Sequence, residues 1–322
     1  MACIEKRISD MASMNNLDGK LVVMVGGSGY FGSHIAQDLL ARGARLRIAS
    51  RNPEKGFNIK PLADLGQLQF ARCDVTKPES VAAIMQGADL VVNLVGAFDG
   101  DLMELIGKGA GNVAEAAKAA GAKAMVHVSA IGADAESEAD YARAKALGEK
   151  LVHDAFPKPV ILRPSILFGE EDEFINMFAG MVRMLPALPV FGPDAPLQMM
   201  WVDDAADAVV AALANPAKHG GKIFEIAGPE PITMLELHQK IADAQGRDRT
   251  FIKVPDPISG IFAAMPLTPM GRDQWILLKA GNVPSGEYPG MKQLGLEPKP
   301  LDLFLERWMK RYRKYGRFTV AA

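Results

Sequence analysis

The sequence predicts an α/β fold in which a doubly wound parallel sheet carries a smaller C-terminal lobe. Three observations carry that expectation. Apolar runs of strand length alternate with helical stretches through residue 165, the signature of successive strand–helix units. The first of these runs passes through a cluster of glycines straight into a helical stretch. Beyond residue 170 the composition shifts toward Met, Pro and large apolar side chains, without a linker, repeat or low-complexity tract. The expected division is a loose N-terminal extension over 1–18 (with Met11 or Met14 as alternative starts), a sheet domain over 19–170, and a smaller lobe over 171–322 that interleaves with the first domain and ends in a basic tail.

Composition narrows the function classes. The chain has 322 residues, 49% apolar and 23% charged, with a formal net charge of −2. That suffices for a sizeable core, and no global basic field argues for nucleic acid. Cys3 and Cys73 are far apart, and neither has a ligand-spaced Cys or His. No zinc site, other metal or disulfide framework is expected, and a reducing compartment fits. No apolar run of about 18 residues occurs, so no membrane span is expected. The first 18 residues carry Glu5, Lys6, Arg7 and Asp10 and do not read as a secretory signal.

The elements follow in order. Residues 21–25, Leu-Val-Val-Met-Val, read as a buried strand, and 33–42 as a helix closed by Gly43. Between them lies Gly26-Gly27-Ser28-Gly29-Tyr30-Phe31-Gly32. Gly27, Gly29 and Gly32 fit G-x-G-x-x-G, whereas Gly26, Gly29 and Gly32 fit G-x-x-G-x-x-G; both need Gly29 and Gly32. A glycine turn between a strand and a helix lets backbone N–H groups approach a pyrophosphate, and the helix N-terminus adds partial positive charge. The bland alternative is an ordinary tight turn. The second strand, 44–51, ends in Ser50 and Arg51, with Lys55 nearby. An NAD site commonly puts an acidic residue here for the ribose hydroxyl, whereas a guanidinium fork matches a 2′-phosphate. NADPH is therefore expected, with NAD left open. A third strand over 67–72 leads to Asp74 and Val75. Asp74 serves either as an adenine contact or as the cap of a helix ending before Gly87. The apolar run 88–96 is a buried fourth strand, whose end, Asn93 to Gly96 with Val95, is expected beside the cofactor. An alanine-rich helix over 103–120 carries Gly107, Gly109 and Gly111 for close packing. Residues 124–129 form the fifth strand, with His127 read as a core residue and Ser129 at its end; 160–164 form the sixth.

In the second half, 174–185 and 205–214 read as helices, 222–227 as a strand, and Thr233-x-x-Glu236 as a capping box. The chemistry concentrates earlier. Tyr141 and Lys145 are four residues apart on an expected helix running to His153, so phenol and ammonium share a face. A nearby cation is expected to lower the phenol's pKa from about 10 toward the working range, allowing it to give or take a proton. Ser129, 12 residues upstream at a strand end, is placed to orient a substrate oxygen. Each piece is weak alone; following a glycine turn, the set points to an oxidoreductase site.

With these motifs together, the chain resembles the extended and atypical short-chain dehydrogenase/reductase superfamily over nearly its whole length. The resemblance implies a Rossmann-like fold. It matches Gly26, Gly29 and Gly32 to the phosphate turn, Asp74 to the adenine contact, and Ser129, Tyr141 and Lys145 to the catalytic triad. It also implies that Lys145, Arg163 and Pro164 join Gly26, Gly27, Ser28, Gly29, Tyr30, Phe31, Gly32, Ser50, Arg51, Asp74, Val75, Asn93, Val95 and Gly96 at the cofactor. Within the superfamily the chain looks most like the NADPH-binding accessory subunits of respiratory complex I. The signs are the glycine turn, Asp64-Leu65-Gly66-Gln67-Leu68, residues 141–149, residues 168–174 and Arg272-Asp273-Gln274-Trp275. That resemblance implies a structural nucleotide, partners in the peripheral arm of complex I, and a peripheral position on the cytoplasmic side of a bacterial inner membrane, or otherwise the cytoplasm. The residues alone leave two other readings: an active NAD(P)-dependent reductase, epimerase or dehydratase, and a nucleotide-sensing regulator. Two stretches favour a protein or membrane partner: residues 258–278, which read equally as lobe core, and the basic, aromatic run 310–317, which reads equally as a solvated helix end.

Overall fold

A computed structural model describes residues 17–264 and 271–313. Almost all of the expected N-terminal extension, residues 265–270 of the apolar stretch, and residues 314–317 of the basic run lie outside the described residues. In chain order the first half is built from β1 (Leu21–Val25), α1 (Tyr30–Ala41), β2 (Arg45–Ser50), a 3-10 segment (Pro53–Leu62), β3 (Leu68–Arg72), α2 (Pro78–Met85), β4 (Leu90–Asn93), a π-helical turn (Met103–Lys108) running into α3 (Gly109–Ala119), β5 (Ala124–Val128), α4 (Asp140–Ala155) and β6 (Val160–Pro164). The second half adds β7 (Leu167–Phe168), α5 (Glu173–Met184), β8 (Ala187–Phe191), β9 (Pro196–Leu197), β10 (Met200–Trp201), α6 (Val202–Ala214), α7 (Pro216–His219), β11 (Ile223–Ile226), β12 (Ile232–Thr233), α8 (Met234–Gln245), β13 (Thr250–Val254), α9 (Asp256–Ala264), α10 (Arg272–Ala280), α11 (Met291–Leu294) and α12 (Asp302–Met309).

The main sheet has seven strands in the order β11-β6-β5-β4-β1-β2-β3, every pair parallel. This is the doubly wound α/β fold that the sequence predicted. Alternate residues of each strand face opposite layers. Val22, Met24, Leu46, Ile48, Leu90 and Val92 pack with Ile35, Leu39, Val209 and Leu213, burying one face under α1 and α6. Val23, Val25, Val91 and Met125 pack with Val81, Val113 and Val152, burying the other under α2, α3 and α4. Glycines in the π-helical turn and on α3 allow that second layer to close: a Cβ on Gly107 would lie 2.8 Å from Leu147, and one on Gly109 2.8 Å from Val75.

The halves interleave. β11 joins the edge of the main sheet against β6, and α6 covers its face, although both come late in the chain. The lobe has a core of its own, where Ile175, Val182, Leu188, Val190, Leu237 and Ile241 meet Phe304, Leu305 and Trp308. The rings of Trp201 and Phe304 stack at 3.9 Å. The Thr233–Glu236 capping box is present at the start of α8. Among the described residues no helix is long and apolar enough to cross a membrane, and no group of three or more His, Cys, Asp or Glu side chains is placed to hold a metal ion.

Candidate functional site

The strand order reverses between β1 and β4. In doubly wound sheets the crevice outside the carboxyl ends of the strands at such a point is where ligands bind. The glycine turn occupies it. Gly26 takes φ +80°, and a Cβ there would press to 3.0 Å from the backbone of Leu94 and Val95 at the exit of β4. A Cβ on Gly27 would lie 2.8 Å from that of Met24, and one on Gly32 only 2.3 Å from the carbonyl oxygen of Gly27. Gly29 differs, since a Cβ there would meet nothing closer than 3.9 Å. Three glycines therefore serve backbone packing, while Gly29 leaves an open face at the first turn of α1, which begins at Tyr30, earlier than the sequence reading placed it. The first-turn N–H groups of a helix have no helical acceptor. A dinucleotide's pyrophosphate fits this cradle.

Around the turn, Ser28 donates to Ser50 across 2.8 Å, tying the glycine loop to the end of β2. Arg51 is exposed beside it. The carboxyl of Asp74 is held below its ordinary range first by the Thr76 hydroxyl at 2.8 Å, then by the Thr76 N–H, with Lys77 and Arg51 adding to the effect. Arg51 and Asp74 thus share one neighbourhood. The helix-cap alternative for Asp74 is not realised, because the N-cap of α2 is Lys77 and Asp74 closes a local turn instead. Val75 packs under Gly109, and its carbonyl accepts from Asn112. Gly96 has open space around its Cα. The Tyr30 phenol turns away into the lobe, against Gly169, where burial and then Asp172, Asp203 and Glu171 push its pKa well up.

At the far end of the crevice stand Ser129, Tyr141 and Lys145. Ser129 is buried at the end of β5 and its hydroxyl has no hydrogen-bond partner. Lys145 is buried and donates to the Val128 carbonyl at 3.1 Å, with its ammonium 5.8 Å from the Tyr141 ring centre. Burial lowers its pKa to about 8, opposed by Glu149. The Tyr141 ring is half-buried and stacks on Phe98 at 4.8 Å and 15°. Its phenol corrects the sequence reading: burial pushes it up to about 12 rather than a cation drawing it down.

Two further groups lie beneath. Asn93 accepts from the Val95 N–H through Oδ1, so its Nδ2 donates to His127 Nδ1 at 3.1 Å. The His127 proton then sits on Nε2, which is buried without a partner. Burial, and next the charge of Lys145, hold His127 down near 3. It is a neutral core residue, though only half satisfied. Arg163 also departs from expectation. Its guanidinium grips Glu149 through two bonds of 2.8 and 2.7 Å, lies 3.7 Å from Glu225, and sits over the Tyr288 ring. These contacts commit it to the protein, so the expected cofactor contact from its side chain is not carried forward. Pro164 is buried, with its carbonyl accepting from Ile131.

Sequence reading missed Phe98, which no local pattern marks, and the function of Asp273, whose carboxylate accepts the Tyr141 N–H at 3.0 Å from across 132 positions. Its neighbourhood was singled out only by resemblance.

A glycine-shaped cradle at the switch point, with the triad at its far end, agrees with what sequence comparison finds over residues 22–227, the model of the NAD dependent epimerase/dehydratase family. The chain belongs to that family. Its cofactor class is accordingly a nicotinamide dinucleotide. The chain is 30% identical over 94% of its length, and over 82% of the relative's, to the mitochondrial NADH dehydrogenase [ubiquinone] 1 alpha subcomplex subunit 9 of Rattus norvegicus. It is also 30% identical to a ceramide reductase of Caulobacter vibrioides, over 82% of this chain and 80% of that one. A dTDP-glucose 4,6-dehydratase from Streptomyces venezuelae, solved with NAD bound, shares the fold at a TM-score of 0.70 and 20% identity, over 91% of this chain and 96% of that one. The complex I relatives are mitochondrial in animals, Dictyostelium discoideum and Neurospora crassa alike. That overturns the expected position on the cytoplasmic side of a bacterial inner membrane.

Proposed function

We propose that this chain is an accessory subunit of NADH:ubiquinone oxidoreductase that holds NADPH as a structural element. The observation that carries the reading is the 30% identity spanning 94% of the chain to a named alpha-subcomplex subunit. The state of the triad supports it. A phenol raised to about 12 and covered by Phe98 is a poor proton donor and a poor base near neutral pH. Gly26 to Gly32 would hold the pyrophosphate, Ser50 and Arg51 the 2′-phosphate, and Ser129, Tyr141 and Lys145 the nicotinamide end. A bound nicotinamide supplies hydride chemistry; the protein's part in this reading is to bind it and exclude water. A ligand that binds only the folded chain stabilises it by mass action. The lobe and the exposed basic side chains of Lys310, Arg311 and Arg313 would face a protein or membrane partner.

The test is native separation of gently solubilised membranes, with the chain located by mass spectrometry and the same fraction assayed for NADPH. Migration with complex I, with NADPH retained and unexchanged, supports the reading; a free chain that exchanges nucleotide readily defeats it. Arg51→Ala should cut the preference for NADPH over NADH by about tenfold or more, as loss of a charged hydrogen bond does; an unchanged ratio removes Arg51 from the 2′-phosphate.

A second reading, an active NAD(P)-dependent reductase, is favoured by the 30% identity to a ceramide reductase and by Ser129, Tyr141 and Lys145 standing together at one end of the crevice. Turnover of NADPH that is lost in Tyr141→Phe would select it.

A further inference from the structure

We propose that Asp273 is a positioning residue through which the C-terminal lobe controls how tightly the Tyr141–Lys145 helix grips the nucleotide. This rests on the reading that the helix closes over the nicotinamide end. The first turn of α4 lacks a local cap: its N-cap is Ala139, with no side-chain hydrogen bond. The nearby polar side chains are used elsewhere, Asp134 on the Glu136 N–H, Ser137 on the Ala139 N–H, and Asp140 on Arg143. The Tyr141 N–H is instead met by the Asp273 carboxylate at 3.0 Å. Asp273 itself lies in the first turn of α10. One carboxylate therefore faces the positive ends of two helices, a favourable place for an anion at both. α10 is rooted in the lobe. Trp275 is buried, and a Cβ on Gly192 would lie 3.1 Å from Leu278 and 3.5 Å from Trp275.

The other supports of α4 come from the sheet domain or its edge. Lys145 reaches Val128, Glu149 holds Arg163, and the Tyr141 ring lies under Phe98. Asp273 is the side-chain hydrogen bond that joins this helix to α10. Displacement of α10, or its fixation by a docked partner, acts on the backbone of Tyr141 itself, four residues from Lys145. The lobe then sets the residence time of the nucleotide: shorter when α10 is free to move, longer when it is held.

The experiment uses the full chain loaded with NADPH, in wild type, Asp273→Ala, Asp273→Asn and Gln274→Ala. NADPH release is followed by fluorescence during a chase with excess NADP+, and amide hydrogen exchange is followed over residues 139–146. Asp273→Ala should release NADPH about tenfold faster and exchange faster in that segment. Asp273→Asn should restore most of the retention, because an amide oxygen accepts the same N–H. Gln274→Ala, which removes the bond to Gly271 on the same turn of α10, should leave both readouts at wild-type values. Equal release by wild type and Asp273→Ala overturns the proposal, as does an Asp273→Asn variant as fast as Asp273→Ala. Should Asp273→Ala fail to fold, Asp273→Asn decides: release and exchange modestly faster than wild type, from the charge lost at the two helix ends, support the proposal, and values equal to wild type overturn it. A wild-type chain that retains no nicotinamide nucleotide defeats the functional reading instead; exchange over 139–146 then still judges the cap, and no difference between wild type and Asp273→Ala overturns it.

Discussion

The two ends of the crevice are built on different principles. The phosphate end is one continuous stretch of chain, shaped by backbone contacts among residues 24–32 and the exit of β4. The Tyr141 end is assembled from four separate segments: the end of β5, the loop bearing Phe98, helix α4, and the lobe helix α10. The one phenol of the first end, Tyr30, turns its hydroxyl away into the lobe; the second end buries Lys145, His127 and Glu149. A local turn stands or falls by sterics, whereas an assembled site depends on charges that have been taken out of water.

The largest expected effect tests the buried charges. Arg163→Ala leaves Glu149 without its partner in the interior, and Glu225 with only the Ser285 N–H and hydroxyl, and should cost about 3–5 kcal/mol, as breaking a buried ion pair does, read by urea denaturation. A cost below about 1 kcal/mol would mean that the network is solvated and the contrast weaker than drawn. Gly32→Ala attacks the other end. The new methyl collides with the backbone of Gly27 and should cost about 1–3 kcal/mol by overpacking while abolishing nucleotide retention, measured on the same protein. Retention at wild-type strength would show that the turn can open without losing its ligand.

Two buried groups of the assembled end should make stability depend on pH. His127 sits near 3 when folded against an ordinary 6.5. The unfolded chain therefore binds a proton first as pH falls, and stability drops from about pH 6.5 toward 3. Lys145 sits near 8 when folded against 10.5. The unfolded state again holds the extra proton, so the penalty for burying the ammonium is present below 8 and is relieved as pH rises from 8 toward 10.5. Lys145→Met should flatten the alkaline rise; an unaltered slope would place the titration elsewhere. The smallest effect is Phe98→Ala. The ring is 68% exposed, so its loss should cost at most about 1 kcal/mol of aromatic stacking. It should bring the phenol of Tyr141 back toward 10 in a spectrophotometric titration.

Much of the fold was legible before any coordinates. Strands 21–25 and 160–164 were expected within the bounds observed, and α6 only began a turn earlier than read. The small pairings of the lobe were missed: the two-residue strands β7, β9, β10 and β12, and the β8–β13 pair. Two residues carry no periodicity, and a strand such as Ala187–Phe191, with Pro189 inside it, contradicts the usual strand signal.

What the sequence determined by itself is whatever depends on neighbours in the chain. Alternating apolar residues set the faces of the sheet, and glycine spacing shaped the turn, because both act over a few residues. Tertiary structure alone decided the electrostatics of the triad. Tyr141 and Lys145 do share one helix, four residues apart, yet the phenol is governed by what buries it, by a phenylalanine 43 positions away and a helix that the lobe holds at Asp273. Desolvation and capping depend on proximity in space, and proximity between distant segments is fixed only when the whole chain has packed.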